Sequence, residues 1–350
     1  MTDQEAIMAA LSALDATSRG HVLVRRNGRL FMALPVNREA ASRTLRLYQP
    51  QRIKALLAMV AIKSLAATGL HRLFLPGFQS PGGQIALEPA FEPCTPGTAG
   101  VMLGSPEHRV CRAILSYQIG DSWEVAKMAF GAHGREVIEA EAAALSAMPS
   151  GTLGILPALG LHHGPDFSVL RLPYCEGRAL MSRDAMRGID LLDKWIRDLP
   201  ARKACDFPEW PAIQAALNVS DAGRSALDRL AHRFLKPVIR HGDFARWNLL
   251  GRSDHRLIAI DWEWGHPEGM PGIDLVHLFA QDARLVHQLG PDAVVRNVEQ
   301  SLSLPRCRSY LDTVGWGESI HDVILASIAF TVGTKQQENE QVLEAVLRYR

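Results

Sequence analysis

Three side chains suited to chemistry lie close together in one short stretch of the sequence. In VIRHGDFARWNLL, residues 238–250, an otherwise apolar strand-and-turn pattern contains His241, Asp243 and Asn248. His-Gly-Asp is also an ordinary turn sequence, and the amide of Asn248 could close a hairpin through its hydrogen bonds. On its own, this stretch is compatible with a structural turn as well as with a functional loop.

A second carboxylate follows after a short hairpin. Residues 257–260 predict a buried strand that ends at Asp261, and the polar residues 251–256 predict the turn before it. A loop carboxylate, an amide five positions later and a strand-end carboxylate recur together in phosphoryl transfer. In such a set, the first carboxylate (Asp243) orients the acceptor hydroxyl and takes up its proton. The amide (Asn248) and the second carboxylate hold Mg²⁺ on the nucleotide phosphates.

These motifs resemble the catalytic segment of the aminoglycoside phosphotransferase and choline kinase family, whose fold is related to that of protein kinases. The resemblance is carried by HGDFARWNLL, residues 241–250, and IDWEWGHPEGMPGIDLVHL, residues 260–278. It implies that Asp243 is the catalytic base, that Asn248 is a metal ligand and that Asp261 is the principal metal ligand. It also implies ATP and Mg²⁺ as cofactors.

Other positions in this segment have roles that depend on the resemblance. His241 matches the residue that braces the loop and is placed with the catalytic set. Asp274 could brace the loop from below, and an N-cap of the next helix is a competing and compatible role. Arg246 stands where relatives with this kind of loop often carry proline, which changes the charge beside the acceptor site. Together with Trp247 and Trp264, it predicts a mixed aromatic and basic rim, which favours a sugar or an anionic acceptor over a polycation.

Upstream, residues 101–130 have the alternating pattern of short strands separated by turns. The third predicted strand ends at Lys127, which is either a solvated strand-end lysine or a point charge for nucleotide phosphates. The helix predicted after it carries Glu141, which can pair with Lys127 as a strand lysine and a helix glutamate do in kinases. Glu141 is preferred by resemblance, and Glu136 and Glu139 remain alternatives because neighbours on a helix differ by small rotations.

Two further segments are candidates for nucleotide contacts. LGSPEHRVCR, residues 103–112, has a single glycine, Gly104, and Pro106 lacks an amide donor, so it is not the glycine-rich cradle of protein kinases. Gly104, Ser105 and nearby backbone amides could hold phosphate, and a plain surface turn is the alternative. Glu176, which follows an apolar strand, resembles the linker between lobes, where backbone groups would meet the adenine edge.

The pattern predicts an α+β protein with a two-lobed protein-kinase-like fold and an additional N-terminal α/β unit. The N-terminal unit has a hairpin signal at Asn27 and Gly28 and a helix starting near Pro50, and a stretch rich in proline and glycine follows it. The resemblance covers residues from about 100 onward. The expected parts are an appended unit of unknown role (1–98), a small lobe of strands plus one helix (99–176) and a mainly helical large lobe with the catalytic loop and metal site (177–350).

Composition limits the class of function. The chain has 350 residues, of which 47% are hydrophobic, so it can bury a sizeable core. Its formal net charge is +1 and it has no long basic run, so neither nucleic acid nor an anionic membrane is expected as a partner. The five cysteines are scattered and lack metal-ligand spacing, which predicts reduced thiols in a cytoplasmic protein. Lys54 and Lys63 interrupt the most apolar helix, so no membrane span is expected.

The sequence therefore predicts an enzyme that uses ATP and Mg²⁺ to phosphorylate a hydroxyl of a small molecule, such as a sugar, an amino alcohol or an aminoglycoside-like compound. The alternative is a pseudokinase, a nucleotide-binding regulatory or scaffold module without turnover. Retention of Lys127, a helix glutamate and the three loop and hairpin residues argues against it. A protein kinase ranks lower, because no activation segment is recognisable between Asp261 and Asp274.

Overall fold

The computed structural model describes residues 3–13, 20–48, 50, 53–78, 94–104, 112–164, 166–334 and 339–348. The chain forms two compact units. The first, here called the sheet unit, comprises Met1–Ser146 and Leu156–Cys175, and the second, the helical unit, comprises Ala147–Ile155 and Glu176–Arg350. One unit is built on an antiparallel sheet and the other mainly on helices, so the predicted α+β class is confirmed.

Within the described residues, the sheet unit contains one antiparallel sheet of eight strands in the order β3-β1-β2-β4-β5-β6-β8-β7. The strands are β1 (His21–Arg26), β2 (Arg29–Pro35), β3 (Gly77–Phe78), β4 (Gly100–Leu103), β5 (Arg112–Ile119), β6 (Ser122–Phe130), β7 (Gly160–His163) and β8 (Phe167–Pro173). The helices are α1 (Asp3–Ala13), α2 (Arg38–Arg46), α3 (Ile53–Thr68), α4 (His71–Phe74) and α5 (Gly131–Ala147). The predicted hairpin at Asn27 and Gly28 is confirmed, and both residues have positive φ, as its tight turn requires.

Apolar side chains cover both faces of this sheet. On one face, Ala126 and Met128 of β6 belong to a buried cluster that includes Ile7 and Leu11 of α1. On the other face, Met102 belongs to a cluster with residues of α2 and α3. The period-two alternation of the strands therefore places successive side chains in two different cores.

The N-terminal strands belong to the same sheet as the strands that follow residue 98. Met32 of β2 pairs with Met102 of β4, so the hydrogen-bonded ladder continues across the predicted boundary. Helix α2 packs on this sheet, with Thr44 Oγ1 at 2.9 Å from Ser116 Oγ, and a Cβ on Gly100 would meet Thr44 Oγ1 at 2.0 Å. The expected separate unit at 1–98 is thus corrected, because its hairpin is paired within the sheet unit. The sheet unit ends at Cys175, next to the boundary expected after residue 176, but Ala147–Ile155, expected in the small lobe, belong to the helical unit.

The helical unit combines eight helices and seven short strands in its described part. The strands are β9 (Arg178–Ala179), β10 (Arg202–Lys203), β11 (Phe234–Leu235), β12 (Val238–Arg240), β13 (Leu249–Gly251), β14 (Leu257–Ala259) and β15 (His266–Gly269). The helices are α6 (Arg187–Lys194), α7 (Trp210–Leu217), α8 (Asp221–Ala231), α9 (Ile273–Gln281), α10 (Pro291–Leu302), α11 (Pro305–Val314), α12 (Ile320–Gly333) and α13 (Glu340–Arg348). A 3₁₀ turn covers Arg246–Asn248, and α9 continues as a π-helical turn over Asp282–Val286.

Helix α12 lies at the centre of the helical unit. Its apolar residues are buried on all sides, and it packs against α7, α9 and α13. Contact with α7 is close, since a Cβ on Gly333 would lie 2.0 Å from the carbonyl oxygen of Ala212. The predicted hairpin before Asp261 is also confirmed, with Leu249 opposite Ala259 in β13 and β14. Helix α9 and this hairpin position the residues described next.

No helix in the described part of the chain is long and apolar enough to cross a membrane. The four cysteines that lie in that part form no disulfide.

Candidate active site

Helix α9 holds the backbone of residues 241–248, the predicted catalytic loop, here called the loop. The buried carboxylate of Asp274 accepts hydrogen bonds from the N–H of His241 (2.7 Å) and from the N–H of Gly242 (2.8 Å). Gly242 has φ +85°, and a Cβ there would lie 2.5 Å from neighbouring side chains, so the position requires glycine. Asp274 therefore makes the bracing contact that the resemblance implied. The N-cap position belongs to Gly272, and Asp274 does not take that competing role.

His241 connects the loop to the end of strand β14. Its Nδ1 accepts the N–H of Asp243 at 3.2 Å, so the ring proton is on Nε2, which donates to the carbonyl oxygen of Ile260 at 2.9 Å. The ring is buried and lies 4.6 Å from the ring of Trp262. Burial lowers the pKa of His241, although nearby carboxylates oppose this shift, and the ring is therefore neutral. Because both ring nitrogens bind backbone groups, His241 fixes the backbone of the loop against the end of strand β14.

The carboxylate of Asp243 is held by two different side chains. Nε2 of His277 lies 2.8 Å from Oδ1, and Nδ2 of Asn248 donates to Oδ2 at 2.9 Å. Asn248 Nδ2 also lies 3.0 Å from the carbonyl oxygen of Asp243. The Asp243 side chain is 29% exposed, so it remains accessible to a ligand. Burial alone would raise the pKa of Asp243, but the hydrogen bonds from His277 and Asn248 lower it below its usual range.

His277 is a residue that the sequence analysis missed. It lies three positions after Asp274 on α9, which puts both side chains on one face of the helix. The spacing of three residues was a usable signal for His277. If Asp274 contacts the loop, the residue one turn later lies on the same face of the helix and can also contact it. Recognising it required knowing that Asp274 faces the loop.

The hairpin brings Asn248 and Asp261 to the same end of strands β13 and β14. The N–H of Ile260 donates to the carbonyl oxygen of Asn248 at 2.9 Å, and Asp261 follows directly. Asp261 has φ +72°, in the left-handed region, a conformation that Asp adopts more readily than most residues. Such a conformation costs about 1–2 kcal/mol and is found where the surrounding structure imposes it.

The donor atoms of these two residues fit a hard cation. The hydrogen bonds of the Asn248 side chain to Asp243 use the amide nitrogen, so Oδ1 is the atom suited to a metal, together with the carboxylate of Asp261. Mg²⁺ prefers oxygen ligands and is commonly bound by one or two protein groups plus substrate phosphates. In the described part of the chain, no group of three or more His, Cys, Asp or Glu side chains is arranged to hold a metal ion. A role of Asn248 and Asp261 as metal ligands stays a prediction.

Arg246 does not provide a basic rim. Its guanidinium forms an ion pair with Asp282 and donates to the carbonyl oxygen of Leu180 at 3.1 Å, and the side chains of Arg246 and Asp282 are each 13% exposed. Its charge is neutralised by a partner at the start of the π-helical turn after α9. The expected basic contribution is thus corrected, whereas Trp264, at 40% exposed, remains an aromatic surface beside the loop.

A cluster of aromatic rings lies beneath the loop. Trp195 is buried, and its ring centroid lies 5.1 Å from that of Trp262 and 5.4 Å from that of Phe244. The indole N–H groups are satisfied, since Trp195 donates to Leu153 O and Trp262 donates to Ala259 O. This packed and hydrogen-bonded base limits movement of the loop.

In the sheet unit, Lys127 of β6 pairs with Glu141 of α5. Lys127 Nζ lies 2.6 Å and 2.8 Å from the two carboxylate oxygens of Glu141, and these side chains are 14% and 2% exposed. The two alternative glutamates lie elsewhere, with Glu136 bonded to His133 and the exposed Glu139 near His163. The structure thus selects Glu141 as the partner of Lys127. A role of the pair in nucleotide binding stays a prediction.

The remaining predicted nucleotide contacts are less well defined. Gly104 donates its N–H to the carbonyl oxygen of Arg112 at 2.9 Å, so this amide closes the β4–β5 ladder. Ser105 lies outside the described residues. Glu176 is exposed and begins the helical unit, between strands β8 and β9.

The structure is similar to solved structures of small-molecule kinases, the group that the sequence motifs resemble. One is a thermostable mutant of aminoglycoside phosphotransferase APH(4)-Ia in a ternary complex with ADP and hygromycin B, at 13% identity and a TM-score of 0.46, covering 71% of this chain and 93% of that one. Another is Plasmodium vivax ethanolamine kinase, at 9% identity and a TM-score of 0.45, covering 87% and 94%. A third is choline kinase from Cryptosporidium parvum, at 10% identity and a TM-score of 0.42, covering 72% and 87%. No family model and no curated protein matches the chain.

Proposed function

We propose that the protein is a phosphotransferase that uses ATP and Mg²⁺ and transfers the γ-phosphate to a hydroxyl of a small molecule. The observation that carries this proposal is the fixed carboxylate of Asp243. It is held through one oxygen by His277 and through the other by Asn248, on a loop whose backbone is bound to Asp274. Asp261 follows the hairpin strand that is hydrogen-bonded to Asn248.

In this proposal, Asp243 orients the acceptor hydroxyl and receives its proton. The hydroxyl oxygen forms a bond to the γ-phosphorus while the bond to the β,γ-bridging oxygen breaks, so that ADP leaves and the proton passes to Asp243. A carboxylate whose pKa is lowered is a weak base toward a free alcohol. Proton transfer is therefore expected late, when the forming bond to phosphorus has made the hydroxyl acidic. Before that point, Asp243 acts mainly by orientation.

Asn248 Oδ1 and the carboxylate of Asp261 would hold the metal ion. When bound there, Mg²⁺ neutralises charge on the phosphates during transfer. In the sheet unit, Lys127 is proposed to contact the nucleotide phosphates, with its position fixed by Glu141. Gly104, Ser105 and the linker at Glu176 complete the proposed nucleotide contacts.

The acceptor is proposed to be a sugar, an amino alcohol or an aminoglycoside-like compound. Because Arg246 is neutralised by Asp282, the charge argument for an anionic acceptor is removed. The exposed ring of Trp264 is suited to the apolar face of a sugar or to a cationic amine.

The test is release of ADP from Mg²⁺-ATP over a panel of neutral sugars, anionic sugars, amino alcohols and aminoglycosides. Asp243→Ala protein serves as the blank, since it keeps the proposed metal ligands but lacks the base. We expect at least one acceptor class to raise ADP release well above the blank. Binding of Mg²⁺-ATP without turnover across the whole panel would favour the nucleotide-binding regulatory module instead.

A further inference from the structure

His277 makes a specific contact that the proposed chemistry does not by itself require. His277 lies on helix α9, its ring is buried, and its Nε2 lies 2.8 Å from Asp243 Oδ1. Asn248, from the 3₁₀ turn, donates to the other oxygen at 2.9 Å. A carboxylate held at both oxygens by separate elements has its plane and rotamer fixed, while each oxygen keeps a further lone pair for a ligand.

The element that carries His277 is itself anchored to the same loop. One turn earlier on α9, Asp274 binds the backbone N–H groups of His241 and Gly242. The backbone and the side chain of the loop are therefore positioned by one helix. A side chain that reaches a reacting group from such an element is held more precisely than one placed by a loop.

We propose that His277 is a positioning residue for the phosphoryl transfer proposed above, and that it fixes the Asp243 carboxylate in the orientation that receives the acceptor hydroxyl. His277 acts through Asp243. This inference rests on the proposed function, because it assigns a purpose to the orientation of Asp243. A purely structural role would instead make His277 a buried polar group that is satisfied by the nearest carboxylate.

Three substitutions separate these roles. His277→Gln can place an amide N–H near the position of Nε2, His277→Asn is too short to reach Asp243, and His277→Leu fills the space without a donor. His321→Leu, a half-buried histidine on α12, is the matched control.

Kinetics with the best acceptor give the first readout. His277→Leu and His277→Asn are expected to lower kcat by about 10²-fold, the scale of a misplacement of about 1 Å. Their affinity for Mg²⁺-ATP should stay within about threefold of the wild type, since the metal ligands are untouched. His277→Gln should recover most of the lost kcat. The role is overturned if Gln, Asn and Leu lower kcat equally, or if kcat and nucleotide affinity fall together.

A second readout does not depend on turnover. Carboxyl ¹³C NMR of Asp-labelled protein at one neutral pH, with the Asp243 signal assigned from Asp243→Asn, reports the hydrogen bonding of the Asp243 carboxylate. Loss of the His277 hydrogen bond in the Leu and Asn variants should move this signal, and the Gln variant should keep it near the wild-type position. An Asp243 carboxyl signal at the same position in all four proteins contradicts the positioning role. Failure of the proposed function would appear differently, as wild-type protein that keeps these NMR shifts but phosphorylates no acceptor.

Discussion

The predicted catalytic loop of the helical unit and strand β6 of the sheet unit hold their charged side chains, Asp243 and Lys127, in different ways. In the loop, Asp243 is bonded to His277 and Asn248, and its backbone is fixed through His241 and Asp274. In the strand, Lys127 is held through both oxygens of one carboxylate, that of Glu141. Orientation in the loop is thus distributed over several elements, whereas both hydrogen bonds described for Lys127 go to one buried carboxylate.

This difference has consequences for substitution. Removing one of the two side chains that hold Asp243 should disturb its orientation, while Asp274 still holds the loop backbone. Removing one member of the buried pair leaves the other charge in a poorly solvated position. The two regions are therefore expected to fail by different routes, and the predictions below test this contrast.

The largest loss of stability is expected for Asp274→Ala. The substitution leaves the N–H groups of His241 and Gly242 buried without their acceptor, and each such group costs about 1–3 kcal/mol. We expect a total loss of about 4 kcal/mol, measured as a lower midpoint in denaturant unfolding, together with loss of transferase activity. Asp312→Ala, at an exposed position on α11, is the control and should change stability by less than about 0.5 kcal/mol. A loop that keeps full stability without the Asp274 carboxylate would contradict the bracing role.

A loss of about 3 kcal/mol is expected for Lys127→Met, because the buried carboxylate of Glu141 loses its lysine partner. Combining it with Glu141→Leu should restore most of this stability, since both charges of the buried pair are then absent. The affinity for Mg²⁺-ATP should be lower than in the wild type in both the single and the double variant, because both lack Lys127. Calorimetric titration and thermal unfolding of the single and double variants check this. Normal nucleotide affinity in the double variant would remove Lys127 from the nucleotide site.

The residues proposed to act in the loop could be grouped from the sequence because they are local. His241, Asp243 and Asn248 lie within eight residues, and the hairpin that leads to Asp261 has a short polar turn. Local patterns of this kind are fixed by turn chemistry and strand alternation, and both can be read without knowledge of the fold. The pairing of Lys127 with a helix glutamate was also accessible, since strand and helix are consecutive.

Contacts between distant parts of the chain could not be predicted in the same way. The pairing of β2 with β4 joins Met32 to Met102, so a stretch rich in proline and glycine was interpreted as a domain boundary although it connects strands of one sheet. The ion pair of Arg246 with Asp282 depends on the rotation of α9 relative to the loop. The contact of His277 with Asp243 depends on the same rotation, although its spacing from Asp274 on α9 was a signal in the sequence. Such contacts follow from tertiary packing, which single-residue propensities do not encode.

An intermediate effect is expected for Arg246→Met, which leaves Asp282 without its guanidinium partner beneath the loop. We expect the free energy of unfolding to fall by about 2 kcal/mol, in the range of hydrogen bonds to charged groups. Because the guanidinium is paired with Asp282, the acceptor KM should change less than it would if Arg246 contacted the acceptor. The exposed Arg183→Met is the comparison, with almost no effect on unfolding. A large loss of affinity for anionic acceptors in Arg246→Met, but not in Arg183→Met, would show that Arg246 contributes positive charge to the acceptor site after all.

The smallest effect is expected from pH. Burial lowers the pKa of His241 below its unfolded value, so the unfolded chain binds a proton that the folded loop does not. Stability from this group is present above about pH 6.5 and falls on acidification, by at most about 1.4 kcal/mol per pH unit. The lowered pKa of Asp243 also gives stability that falls on acidification. Because Asp243 is an acid with a low pKa, this stability is lost only below about pH 4. Denaturant unfolding at a series of pH values should therefore show a shallower decline between pH 6.5 and 5 in His241→Gln, and an unchanged slope would contradict a neutral buried His241.

The most direct test of the proposed function is titration of Mg²⁺-ATP into Asp243→Asn and Asp261→Asn, together with measurement of transfer to the best acceptor. Asp243→Asn should keep much of the nucleotide affinity and lower the rate of transfer by roughly 10²-fold or more, because a positioned proton acceptor is lost. Asp261→Asn should weaken both binding and transfer, because a hard cation loses a carboxylate ligand. If Asp243→Asn abolishes nucleotide binding while Asp261→Asn keeps normal turnover, the assignment of base and metal ligand is contradicted.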